Sequence, residues 1–299
     1  MLIFTSCQEN DIATNNEIVQ GNNLIPSISS ANYNIQPCDF GVIHNQILDY
    51  VTLQSYDTNL SNVDVANIIN NNIDNFLTIN YGNISESTNN FIFNNNSFSV
   101  HNLEYLNEHI SISFLKEKLF ESLNNLSTNA LNEATGSINF SQREKDFIIT
   151  SFNNIFEQNF SEMTHNQVFN AIKTSANYNI SAYYNISWNN GEGYIAMAFL
   201  SVASHSAEYW EKVWRDVIIV KYPETETDIE PVGVAPFVTA DAVGAGISIV
   251  VDLLEGEKNT SKIAKNALKN AGWSSVGGAI CAGISGGAKS VAKFLGLFK

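Results

Sequence analysis

Two stretches near the C-terminus restrict what this chain can fold into. Phe237 to Leu254 is largely apolar, with Asp241 and Asp252 inside it, and Ala271 to Ala288 carries no charge. Each is about as long as the ~18 helical residues that cross a bilayer. Such segments are stable only when enclosed, by lipid or by protein. An Asp at the centre of a span costs about 3 kcal/mol. Here both lie toward the ends, so Phe237 to Leu254 is a marginal span. Asn259 to Lys269 is expected to be an amphipathic helix, with Lys258, Lys262, Lys265 and Lys269 on one face and Ile263, Ala264, Ala267, Leu268 and Ala271 near the other. Lys289 to Lys299 is again amphipathic and basic. Residues 237–299 thus predict a glycine-rich basic helical hairpin.

Within the second stretch, Gly283 to Gly287 reads GISGG and fits the Gly-x-Ser-x-Gly pattern of a hydrolase nucleophile elbow. An elbow needs a strand leading in and a histidine later in the chain. No histidine follows His205, and the residues before Ser285 are glycine-rich without a strand pattern. Catalysis by Ser285 is therefore set aside. Ala279, Gly283 and Gly287 instead share one helix face, and small residues at i, i+4 let two helix backbones come close. Such segments resemble glycine-zipper tails and some small bacteriocins. Two environments stay open. One is a membrane or partner contact through Gly283, Gly287, Lys262, Lys265, Lys269, Lys289 and Lys293. The other is a hairpin docked on a soluble body.

Charge sharpens the choice. The net charge is −15, which argues against a nucleic-acid partner. From Lys258 onward there are seven lysines and no acid, while the preceding residues hold all thirty acids. A basic tail on an acidic body meets an anionic membrane surface or its own body.

The body reads as helices. Asp39 to Tyr56, Ser61 to about Leu77 and Asn102 to about Leu123 show apolar residues at helical spacing, with Asp39 and Ser61 as caps. Asn80 to Ser99 is loop-like, with a short strand expected around Phe91. Ser141-Gln-Arg-Glu144 is a capping box, and Thr164 caps the helix after it. Ile180 to Trp188 is expected to be extended, and Gly191 to about Lys221 to be a long aromatic-rich helix. Residues 32–222 are thus an antiparallel domain of about six helices. Pro223, Pro231 and Pro236, with acids between, mark a stiff linker over residues 223–236, and the hairpin begins at Phe237. The fold class is mainly α: an antiparallel helical domain followed by a glycine-rich helical hairpin.

At the other end, MLIFTSCQEND resembles the close of a bacterial lipoprotein signal, with small residues before Cys7, the lipidation candidate. Residues 1–7 are too short to act as a signal alone and read as a truncated remnant. Residues 8–31, rich in Asn, Ser and Gln, read as a tether. Cys38 and Cys281 are the other cysteines. They pair across a very long loop or stay as buried thiols, the latter being preferred.

Remaining constellations are weak. His205, Glu208 and Glu211, and Glu104 with Glu108, fall near common helix faces, but neither has the Glu-x-x-His spacing of a bundle di-metal centre. No cofactor motif is present. His44 and Asn45, in Gly41-Val-Ile-His-Asn-Gln-Ile-Leu48, suit a polar pair packing against a neighbouring helix, with a ligand role as the alternative. This segment, with Tyr209-Trp210 and the glycine-rich tail, resembles a family of uncharacterised secreted or lipidated proteins of the Bacteroidota. The resemblance implies relatedness and location, not an activity.

The expectation is a non-enzymatic cell-envelope lipoprotein, outer-membrane or secreted and not cytoplasmic, needing no cofactor and contacting a membrane surface. The alternative is a secreted membrane-active toxin, pore-forming or bacteriocin-like, with the hairpin as its working part.

Overall fold

The computed structural model describes residues 35–52, 62–82, 111–129, 138–221 and 231–284. Among these the protein is mainly α, without strands. Eight helices follow in order: α1 Phe40–Thr52, α2 Asn62–Tyr81, α3 Ile112–Asn129, α4 Gln142–Phe156, α5 His165–Tyr184, α6 Tyr194–Val213, α7 Ala235–Leu254 and α8 Thr260–Ile284. The expectations for residues 1–7, for the tether, for a strand near Phe91 and for the basic end after Lys289 lie outside the described residues.

Local chemistry sets the helix ends. Thr164 and Gln167 exchange hydrogen bonds at the start of α5, at 2.8 and 3.3 Å. Ser141 Oγ accepts from Glu144 N at 3.2 Å, as the box predicts. The Glu144 carboxylate does not fold back, however. It accepts from Ile195 N at 2.9 Å and Ala196 N at 3.1 Å. It thereby caps α6, whose own cap residue is Gly193 and supplies no side chain. Asp39 is not the cap of α1. It closes a short 3-10 turn, Pro37–Asp39, by accepting from Gln36 N. The expected extended run from Ile180 is helical as far as Tyr184. Its apolar stripe is weak because this end of α5 faces solvent, with Tyr178 72% and Tyr184 48% exposed. Beyond Val213, α6 widens into a π turn, Trp214–Ile218.

Packing corrects the boundary expected at Phe237. α7 is not part of a separate domain; it runs through the middle of the bundle. Its residues share one hydrophobic core with those of α1 to α6, and α8 lies beside it. The alanine and glycine content that suggested a new domain is what a central helix needs when approached from several sides. A Cβ on Gly244 of α7 would sit 2.4 Å from Ser274 Oγ and 3.0 Å from Asn270 O of α8.

Side-chain pairs give the helix directions. Gly41 and Asn45 of α1 bond Ser201 and His205 of α6, so α1 and α6 run the same way. α7 opposes α6: near its start Phe237 meets Trp210, and further on Gly246 lies against Phe199. α8 opposes α7 through Asp252–Asn266 and Ser248–Asn270. The turn between them carries Gly256 at φ 79°, a left-handed position that favours glycine.

A candidate functional site at a four-helix junction

His44 on α1, Ser206 and Trp210 on α6, Asp241 on α7 and Ser275 on α8 meet at one point, all within 1% of full burial. Asp241 Oδ2 accepts from Ser206 Oγ, from Ser275 Oγ at 3.1 Å and from Trp210 Nε1 at 3.3 Å. His44 Nε2 stands 3.5 Å from the same oxygen. On its other side His44 Nδ1 is 3.1 Å from Asn45 Oδ1, and Asn45 Nδ2 donates to His205 O at 3.0 Å. Because that amide places its oxygen toward the ring, Nδ1 carries the hydrogen and Nε2 is left as an acceptor.

Burial dominates the electrostatics. It pushes the His44 pKa down to about 4, against the pull of the Asn45 hydrogen bond and with a smaller push from His205. It pushes Asp241 up to about 8, although three donors favour the carboxylate. Glu144 is pushed up to about 7 by the same cause, its amide donors pulling the other way. Asp252, likewise raised to about 7, receives Asn266 Nδ2 at 3.1 and 3.0 Å. At neutral pH the junction is therefore an uncharged, hydrogen-bonded knot.

The sequence singled out His44, Asn45 and Trp210 but not Asp241 as their focus. The signal was present. Asp241, Ser248 and Asp252 interrupt the apolar α7 at helical spacing, and Asn266, Asn270 and Ser274 do so on α8. Two apolar helices with matching polar stripes are partners for each other.

The lysines assigned to a membrane surface are engaged internally where they are described. Lys262 pairs with Glu257 at 2.7 Å, Lys265 donates to Gly82 O at 3.1 Å, and Lys269 pairs with Asp74 at 2.8 Å. Gly283 belongs to α8, whereas Gly287, Lys289 and Lys293 lie outside the described residues. Glu208 pairs with Lys173 at 3.2 Å and Glu211 with Arg215 at 3.7 Å. Glu104 and Glu108 are outside the described residues.

The cysteines need one correction. Cys38 is not a buried thiol; it is disulfide-bonded. Its backbone oxygen accepts from Ser201 Oγ at 2.7 Å. Cys7 and the side chain of Cys281 lie outside the described residues.

No family model matches the chain, and neither the characterised proteins nor the solved structures include a significant match.

Proposed function

We propose that this chain is a non-enzymatic, exported protein of the bacterial cell envelope. The disulfide at Cys38 carries the reading, because disulfides persist in oxidising compartments and are rare in the cytoplasm. The junction supports a structural role for its polar groups. Each is buried and turned toward another protein group, which leaves none in reach of a substrate. Attachment through lipid at Cys7 belongs to the same proposal. Any membrane contact by the tail then falls to Lys258, Lys289, Lys293 and Lys299, since Lys262, Lys265 and Lys269 have partners in the fold.

The membrane-active alternative has one observation in its favour. α7 is long and apolar enough to cross a bilayer, although 89% of that window is buried in the bundle. Against it stands the register of α8. Inserting α7 together with its partner would take Lys262, Lys265 and Lys269 into the membrane, at about 3 kcal/mol for each lysine near the centre.

The test is thiol trapping in the bacterial host that carries the gene, combined with fractionation and an alkyne fatty-acid label. An envelope fraction in which Cys38 resists alkylation until reduced supports the reading. Reduced Cys38 in a cytoplasmic fraction overturns it. Fatty-acid label on Cys7 adds the anchor, and its absence leaves a secreted or otherwise retained protein.

A further inference from the structure

We propose that His44 and Asp241 share a proton at neutral pH, with Asp241 as the acid and His44 Nε2 as its acceptor, and that this uncharged pair is a pH-sensitive lock holding α7 and α8 against α1 and α6. The geometry calls for it. His44 Nε2 and Asp241 Oδ1 are the two buried atoms of the junction without a hydrogen-bond partner. Nε2 faces Oδ2 at 3.5 Å, the oxygen that also accepts from Ser206, Trp210 and Ser275. A hydrogen on the carboxyl group, directed at the imidazole, gives Nε2 a donor and removes the buried charge.

Among the described residues the surroundings offer no other charge balance. From α1 the pair faces Asn45; from α6, His205, Ser206 and Trp210; from α8, Ser275. His205 is the one further titratable group among these, and it disfavours a cationic His44. α2 contributes Asp74, which is committed to Lys269, and α3 meets α7 at Gly246 with the apolar Leu119. The proton count of the pair is the same whether the acid or the imidazole holds it. Losing it leaves a buried negative charge with no cation beside it, at the point where four helices meet.

The sign follows from linkage. An unfolded Asp ionises near pH 4, while the folded pair keeps its proton to about pH 8. Stability from this group is full at low pH and is lost as pH rises between these limits. The folding constant should fall about tenfold per pH unit from pH 5 to 8, relative to a chain without the group.

The experiment compares the full chain with Asp241→Asn by denaturant unfolding at pH 5, 6, 7 and 8. The expected result is a wild-type to variant ratio of folding constants that drops about tenfold per unit. Glu144 and Asp252 are common to both chains and cancel. A ratio independent of pH overturns the proposal. A second readout is the nitrogen NMR spectrum of His44 in the wild type. An unprotonated Nε2 at pH 7 supports the lock, and an imidazolium overturns the assignment. If Asp241→Asn does not fold, that spectrum decides alone.

Discussion

Asn266 gives its amide nitrogen to both oxygens of Asp252, at 3.1 and 3.0 Å, across the interface of α7 and α8. Lys262, earlier on α8, pairs with Glu257 at 2.7 Å and acts on Asp252 only through its field. An amide thus stands where a cation was available, and a buried carboxyl with a neutral partner is left to hold its proton.

Asp252 therefore makes the fold alkali-sensitive. Its pKa is raised to about 7, so the proton lost by the unfolded chain near pH 4 is retained by the folded one. Stability should decline as pH rises from about 4 to 7. Asp252→Asn should be close to neutral at pH 5 and should stabilise the protein at pH 8. Unfolding curves at the two pH values test this; a substitution that acts equally at both contradicts it.

Glu144 should be sensitive to how it is changed. Its Oε1 accepts from the first amides of α6. Glu144→Ala leaves two buried donors unpaired, and a loss of about 2–4 kcal/mol is expected. Glu144→Gln keeps an acceptor and should lose about 1 kcal/mol at pH 5, where the native acid is itself protonated. Equal losses for the two variants would show that side-chain packing, not capping, is what Glu144 supplies.

Gly41 is placed for contact. A Cβ there would sit 2.2 Å from Ser201 O and 2.4 Å from His205 Nδ1. Gly41→Ala forces α1 away from α6 and should cost about 1–3 kcal/mol, the usual range for overpacking. It should also weaken the Gly41 N to Ser201 Oγ bond, now 2.9 Å. Thermal unfolding measures the first effect, and amide exchange at Gly41 the second. An unchanged exchange rate would place the damage elsewhere.

Peptide mapping without reduction should find Cys38 oxidised and should name its mate. A free Cys38 thiol in the native protein contradicts this. The same digest reports on Cys7, because one sulfur cannot hold both a lipid thioether and a disulfide. A lipidated Cys7 beside an oxidised Cys38 would leave Cys281, or a cysteine of another molecule, as the mate.

Much of the helical layout was legible, because caps and apolar spacing act locally. Thr164 with Gln167, and Ser141 with Glu144 N, follow from residues three apart. The partner of the Glu144 carboxylate does not, since Ile195 and Ala196 come near it only through packing of α4 against α6. The place of α7 stayed open for a related reason. Composition tells that a segment is enclosed, but not by what, and here the enclosing surfaces are earlier helices rather than lipid. His44 was legible as a polar residue on a helix. Its dependence on Asp241 was not, because no local rule joins residues so far apart in the chain.

The central position of α7 also has a consequence in time. Chains are made from the N-terminus, so α1 to α6 emerge with their apolar faces turned toward a helix that does not yet exist. His44, Ser206 and Trp210 wait for Asp241, which is made after all of them. Such a protein cannot close its core until α7 has emerged. A translocation channel that accepts only unfolded chains, and a chaperone that binds exposed apolar helices, would each find a long window in which to act.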